Sequence, residues 1–301
     1  MGSEAPSILV AHCDDAPALA TLGAFFSAEN PGYTLDVLTL TGEDLWAAPH
    51  GVSFWWLQEG AAEVKIDGEW QPEREHLYPA RHDWLTLQVG DVVVADAEHN
   101  VHVRGNARFW QIVCSRRARS AWAGVRRLQH LVDQAGGCNV SDDAFRRLQI
   151  TWQAARQAAR QTSDDPDGDN LLGCHVVYIA ETTSRTHYHP RPPLVGGRNQ
   201  HELYLVLDPR VYGLRVQAEA PGVWTYPQPG AWDRYDFTPL RPGDVCAIRA
   251  GVAHRAVDVL ACVIAIPGFK PGNDVYVDHL IAEQTGGQAP HNPRFAGGNG
   301  G

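Results

Sequence analysis

Four residues of this chain could share one metal ion: His187, His189, Glu202 and His254. The first two stand in Ser184-Arg-Thr-His-Tyr-His-Pro190, where an i, i+2 spacing on an extended strand turns both imidazoles to one face. Glu202 opens the β-rich run Glu202-Leu-Tyr-Leu-Val-Leu-Asp208, and His254 closes a strand framed by Gly243 and Gly251. Three imidazoles and a carboxylate suit Fe(II), Mn(II), Ni(II), Co(II) or Zn(II) and leave positions open for substrate or water. The set alone leaves two chemistries open. Such an ion can support oxygenation beside an enol or catechol, or act as a Lewis acid on a carbonyl while a base moves the neighbouring proton.

Several strands are needed to bring these ligands together, and the chain supplies them twice. Leu87-Gln-Val-Gly-Asp-Val-Val-Val-Ala-Asp-Ala-Glu-His-Asn-Val-His102 parallels Leu240-Arg-Pro-Gly-Asp-Val-Cys-Ala-Ile-Arg-Ala-Gly-Val-Ala-His-Arg255 at a constant offset. Upstream, Ser53-Phe-Trp-Trp-Leu-Gln-Glu-Gly60 parallels Glu202-Leu-Tyr-Leu-Val-Leu-Asp-Pro209. The pattern predicts a mainly β protein of two barrels. In the first copy Ser53 stands for Glu202 and Val101 for His254, and no His-x-His precedes them, so one metal per chain is expected. His50, His99 and His102 lie nearby, but an imidazole shifted by one residue on a strand points to the wrong face.

The two barrels are expected over residues 1–114 and 171–285, the first without a metal site. Between them, 115–170 reads as a helical connector with an acidic linker. Ser115–Gln134 and Ser141–Gln161 carry the helical composition, with Ser141 as N-cap and Gly136-Gly137 as the break. This segment holds Arg116, Arg117, Arg119, Arg126, Arg127, Arg146 and Arg147, read as a solvated face. Asp164-Asp-Pro-Asp-Gly-Asp-Asn170 is turn-rich and lacks the glutamate that a calcium loop needs. Residues 286–301 read as a loose Gly/Pro/Asn-rich tail.

Composition narrows the function classes. The 301 residues are 44% hydrophobic and 20% charged, as expected of a globular protein. No stretch approaches the roughly 20 apolar residues of a membrane span, and the N-terminus lacks the layout of a signal peptide, so a cytoplasmic protein with no membrane partner is expected. The six cysteines form no Cys-x-x-Cys pair and read as reduced thiols. A net charge of −10 argues against a nucleic-acid partner. It does not argue against a small anionic substrate, and it leaves a homo-oligomer open.

The order His-x-His, Glu, then His after a Gly-bounded strand resembles the cupin superfamily, here as a bicupin of two jelly-roll barrels. Two departures are visible: a long insert from Pro190 to His201, and Arg249-Ala-Gly251 where cupins carry Pro-x-Gly. Over residues 184 to 268, His187-Tyr-His-Pro-Arg-Pro-Pro-Leu-Val-Gly-Gly-Arg-Asn-Gln-His-Glu-Leu-Tyr204 with Gly213-Leu-Arg-Val-Gln217 looks like the metal-binding half of the 5-deoxy-glucuronate isomerases and the related 5-keto-4-deoxyuronate isomerases. That resemblance implies isomerisation of a sugar acid, or a similar hydroxy-carbonyl compound, through an enediolate. Glu202, Asp233 or Tyr235 would then be the base that carries the proton. Arg185, Arg191 and Arg198 flank the ligands and suit a substrate carboxylate, with Tyr204 and Gln217 as further contacts. Trp224 and Trp232 are expected to cap the pocket, and Trp55, Trp56, Trp84 and Trp110 to be core.

Two other functions stay open: a cupin dioxygenase acting on an aromatic or enol substrate, and a non-catalytic sugar-binding cupin. Separately, Ala11-His-Cys-Asp-Asp15 resembles the Ala-His-Pro-Asp-Asp opening of zinc N-acetylglucosaminyl deacetylases, with Cys13 in place of the proline. Nothing downstream supplies the rest of that fold. A helix-and-strand cover for the barrel is the preferred reading there, rather than a second metal site at His12 and Asp15.

Overall fold

The computed structural model describes residues 6–67, 84–115, 123–126, 147–151, 172–177, 185–194, 198–212, 221–257, 259, 262–268 and 273–290. The chain forms two compact units, His12–Leu131 and Met1–Ala11 with Val132–Gly301, here called the N-terminal and C-terminal units. Strand β1 (Ile8–His12) does not join the N-terminal sheet, although residues 1–114 were expected to make one barrel; it edges a C-terminal sheet instead. Ile8 and Val10 alternate along it and pack on the C-terminal core, which accounts for its placement. Among the described residues no helix is long and apolar enough to cross a membrane.

In the N-terminal unit, helix α1 (Ala16–Glu29) is capped by Asp15, whose Oδ1 accepts the Ala18 N–H at 3.0 Å. Asp15 is thus committed to a helix terminus. The strands are β2 (Tyr33–Ala47), β3 (Val52–Ile66), β4 (Leu85–Thr86), β5 (Val92–Asp96), β6 (Asn100–Cys114) and β7 (Ala123–Arg126). They form an antiparallel sheet in the order β2-β6-β3-β5-β7, with β4 paired to β3. Two glycines allow close backbone approach between β3 and β6: a Cβ on Gly60 would lie 2.3 Å from the Asn106 carbonyl oxygen, and one on Gly105 would lie 2.2 Å from that of Ala61. The unit's core gathers Trp46, Trp55, Leu57, Val93, Val101, Val103 and Phe109. Trp55, Trp56 and Trp110 are fully buried.

The helical connector is corrected by the structure. Within the expected helix Ser115–Gln134, Ala123–Arg126 is strand β7, paired from Ala123↔Ala95 to Arg126↔Val92 with Val125 buried. Within Ser141–Gln161, Arg147–Thr151 is strand β8, paired with β9 (Leu172–Val177). Both segments alternate polar and apolar residues, and the open edges of β5 and β9 offered backbone groups that only a strand could satisfy. The acidic linker Asp164–Asn170 lies outside the described residues.

The C-terminal unit continues with β10 (His187–Tyr188), β11 (Glu202–Val206), β12 (Gly222–Tyr226), β13 (Asp236–Pro239), β14 (Asp244–Ile248), β15 (Ala253–Val257), β16 (Cys262–Pro267), β17 (Val275–Tyr276) and helix α2 (Asp278–Thr285). Two antiparallel sheets result, β1-β14-β11-β16-β9-β8 and β13-β12-β15-β10-β17. Tyr204, Val206, Cys246 and Ile248 of one sheet meet Val223 and Ala256 of the other in a single apolar cluster. This is a jelly-roll arrangement, two sheets closed over one core. On the outer side, Ile281 of α2 packs with Tyr226, Trp232, Ala253, Val277 and Ala289. Within the expected tail, Ala289 is therefore packed while Gly286, Gly287 and Gln288 are exposed, and 291–301 lie outside the described residues.

Candidate metal centre

Strand register brings the four residues together. β10 pairs with β15 so that His187 lies opposite His254, and both imidazoles share a face of that sheet. Glu202 comes from β11 in the other sheet, with Tyr204 and Val206 on its side of the strand. His189 lies just past β10, where its carbonyl accepts the Gly251 N–H at 2.6 Å. Asp278 at the start of α2 accepts both the backbone N–H of Thr186 (3.0 Å) and its hydroxyl (2.9 Å), which pins the entry to β10.

All three histidines aim Nε2 at the one carboxylate. His189 Nε2 is 3.4 Å and His187 Nε2 3.8 Å from Glu202 Oε1, and His254 Nε2 contacts Oε2. The ligand atoms of His187, Glu202 and His254 lie within 4.8 Å of one another, compatible with bonds of about 2.0–2.2 Å to a shared ion. Each Nδ1 is turned outward to an acceptor: the Arg185 carbonyl at 3.1 Å for His187, the Val252 carbonyl at 2.9 Å for His254, and Asp274 Oδ1 at 3.1 Å for His189. Where Nδ1 faces a backbone carbonyl, as in His187 and His254, it must carry a proton, which makes Nε2 the nitrogen that would face a metal once its own proton is lost. His187, His189, Glu202 and His254, between 1% and 4% exposed, could therefore hold a divalent transition metal.

The electrostatics fit the same picture. Burial opposes the charge on Glu202, but the imidazoles of His254, His187 and His189 outweigh it and hold the carboxyl well below its usual range. Burial also opposes charge on His189, yet Asp274 and Glu202 together raise its pKa to about 9. Burial dominates for His254 and lowers its pKa. Metal-free, the cluster balances its buried carboxylate with a proton that a metal would displace.

Asp274 is absent from the sequence reading. Its side chain is buried, and its carboxyl is held below the usual range: His189 and His187 outweigh the opposing burial. Nothing in the spacing of Asn273-Asp-Val-Tyr276 points to His189. Only the pairing of β17 with β10, His187 opposite Tyr276, brings it there. His201 was expected to turn away from Glu202, and its Nδ1 accepts the Ala250 N–H at 3.1 Å while Nε2 lies 3.3 Å from Arg191.

The remaining expected site residues divide. Tyr204 is buried with its ring 6.2 Å from that of His254. Arg185 lies over the ring of Tyr276 at 4.7 Å, and that ring is 6.4 Å from His187, so Arg185 sits one aromatic ring from the centre. Arg191 reaches His201, on the side of β11 away from Glu202, and the stem of Arg198 lies beside Gly268. Thr225 is the register partner of His254, which turns Trp224 and Tyr226 to the outer face. Tyr235 packs there, 5.1 Å from Trp224 and 6.0 Å from Tyr226. Asp233, exposed in the same loop, and Tyr235 are therefore not brought to the four residues, and Trp224 and Trp232 cover the outer face rather than cap the site. Gln217 lies outside the described residues.

In the N-terminal unit, His99 pairs with Asp96 at 2.6 Å and His102 with Asp67 at 2.5 Å, each apart from the other. His12, Cys13 and Asp14 do cluster, but the Arg108 guanidinium already sits among them, 2.7 Å from Cys13 Sγ and 2.8 Å from Asp14.

No protein-family model and no curated protein matches the sequence. Among solved structures, the chain is similar to a cupin 2 conserved barrel domain protein from Leptotrichia buccalis, at 12% identity and a TM-score of 0.44 over 79% of this chain and 84% of that one. It is also similar to oxalate decarboxylase from Bacillus subtilis, at 10% identity and a TM-score of 0.46 over 94% and 76%. A third is the vicilin from Solanum melongena, at 11% identity and a TM-score of 0.45 over 83% and 78%. Overlaps this loose leave the reading of the site to its own residues.

Proposed function

We propose that the C-terminal unit is the centre of a metal-dependent enzyme, with His187, His189, Glu202 and His254 holding one divalent transition metal, and that its reaction is the isomerisation of a sugar acid or related hydroxy-carbonyl compound. The observation that carries the metal reading is the convergence of three Nε2 atoms on one buried carboxylate, with the Nδ1 atoms of His187 and His254 hydrogen-bonded to backbone carbonyls and that of His189 in an ion-pair contact with Asp274. A bound divalent ion supplies Lewis acidity that makes a C–H beside a carbonyl easier to deprotonate.

The protein's own residues then have separate tasks. Of the candidate bases Glu202 is the one at the centre, since Tyr235 packs on the outer face and Asp233 is exposed in the same loop. It would carry the proton between adjacent carbons through whichever carboxylate oxygen is not committed to the ion. Arg185, beside Tyr276 and His187, orients the substrate carboxylate. Tyr204, Val223, Cys246 and Ile248 close the interior and exclude water. The same apolar wall favours one other reading, oxygenation of an aromatic or enol substrate.

The deciding experiment is an assay on open-chain hydroxy-carbonyl sugar acids with and without O₂. Isomerisation at an undiminished anaerobic rate is the expected result. Turnover confined to enol or aromatic substrates, and lost without O₂, would replace the isomerase with the oxygenase.

A further inference from the structure

We propose that Asp274 is a positioning residue of the metal centre, acting through His189 to make it the strongest of the three imidazole donors. The inference rests on the reading of the four residues as metal ligands. Two of the three rings are oriented locally: His187 and His254 each direct Nδ1 to a backbone carbonyl two residues earlier, Arg185 and Val252. Such carbonyls come with the strand and exert only a dipole. His189 alone has an ionised side chain behind it, Asp274 Oδ1 at 3.1 Å, supplied from a distant part of the chain by β17.

Both atoms of that contact are sealed from solvent, and among the described residues neither makes a well-aligned hydrogen bond, to the other or elsewhere, so the 3.1 Å approach is an ion-pair contact. A buried carboxylate oxygen turned only toward an imidazole is costly unless the pair is used. Behind a metal ligand it is useful, because a carboxylate facing Nδ1–H fixes the tautomer and raises the basicity of Nε2. The other oxygen, Oδ2, is reached by the Tyr276 hydroxyl at 3.5 Å, and the Tyr276 ring stands beside His187. Asp274 is thus held between a ligand imidazole and the aromatic residue over which Arg185 lies.

The test uses the full chain with Co(II) as the probe, comparing wild type, Asp274→Asn and Asp274→Ala. Affinity is read by chelator competition, ligand field by the visible absorption of bound Co(II), and fold by thermal unfolding. Asp274→Ala is expected to weaken Co(II) binding roughly 10- to 100-fold and to displace the absorption bands. Asp274→Asn keeps an acceptor for Nδ1–H but loses the charge, and is expected to recover part of the affinity while still displacing the bands. If Asp274→Ala does not fold, the near-isosteric Asn variant decides alone. Unchanged affinity and bands in either folded variant, with a lowered unfolding temperature, would reduce Asp274 to a structural role and overturn the proposal. A wild-type chain that takes up no Co(II) would instead overturn the metal centre itself, and this inference with it.

Discussion

The N-terminal unit buries Ser53 and Val101 where the C-terminal unit buries Glu202 and His254, although the two build the same turn around those positions. Gly90 and Gly243 both adopt positive φ, 87° and 90°. Asp91 and Asp244 each accept a backbone N–H three residues back, from Gln88 and Arg241, at 2.8 Å in both cases. Gly90 donates to the Leu57 carbonyl as Gly243 donates to that of Val206. The interior of the first unit holds Trp55, Val101 and Phe109 in an apolar core, and that of the second holds an apolar cluster of Tyr204, Val206, Cys246 and Ile248 together with the polar group of His187, Glu202 and His254. The backbone of a repeated barrel is thus set by glycines, short turn hydrogen bonds and strand register. What fills its interior can change from metal donors to hydrocarbon without disturbing the frame.

That comparison can be broken most forcibly by moving one charge. Ser53→Glu places a carboxylate in the N-terminal unit with none of the three imidazoles that Glu202 enjoys, and should destabilise the protein by ~3–5 kcal/mol without adding a bound ion; chemical denaturation with metal analysis measures both. Metal removal is the next largest effect. With free metal 100 to 1,000 times its Kd, the wild type should gain about 3–4 kcal/mol over the chelated protein, and His254→Ala should gain nothing. The same titration has a pH signature. His189, with its pKa raised to about 9 in the metal-free state, must lose its proton to ligate, so uptake at pH 7.5 should release about one proton per chain. Affinity should accordingly rise with pH until about 9, which calorimetry in buffers of different ionisation enthalpy would show.

The smallest effects probe the frame that the units share. Gly60→Ala forces a Cβ against the Asn106 carbonyl at a φ of +86°, with an expected cost of ~1–3 kcal/mol. Gly42→Ala, at a φ of +88° with nothing within 4 Å of the added Cβ, should cost only about 1 kcal/mol of backbone strain. Equal costs at both sites would mean that the close approach of β3 and β6 at Gly60 is not the constraint.

Much of this was readable in the sequence because it depends on local period and on repetition. The i, i+2 spacing of His187 and His189, the glycine frame before His254 and the constant offset between Gly90 and Gly243 are all one-dimensional signals, and they suffice to bring the four residues into one reading. Signals that depend on pairing were not legible. Ala123–Arg126 and Arg147–Thr151 sit in arginine- and alanine-rich surroundings that suit a helix, and become strands because neighbouring sheet edges are open. Ile8–His12 crosses to the other unit for the same kind of reason. The Thr225↔His254 register sends Tyr235 outward although its loop is close in sequence, and the His187↔Tyr276 register brings Asp274 inward although nothing near it announces a ligand's partner.

The central claim, one metal held by the C-terminal quartet alone, is tested most directly by the metal content of protein purified from its own host, alongside His254→Ala and His99→Ala. The account predicts one divalent transition metal per chain in the wild type and in His99→Ala, and none in His254→Ala. Two ions per chain, or a full complement retained by His254→Ala, would contradict it.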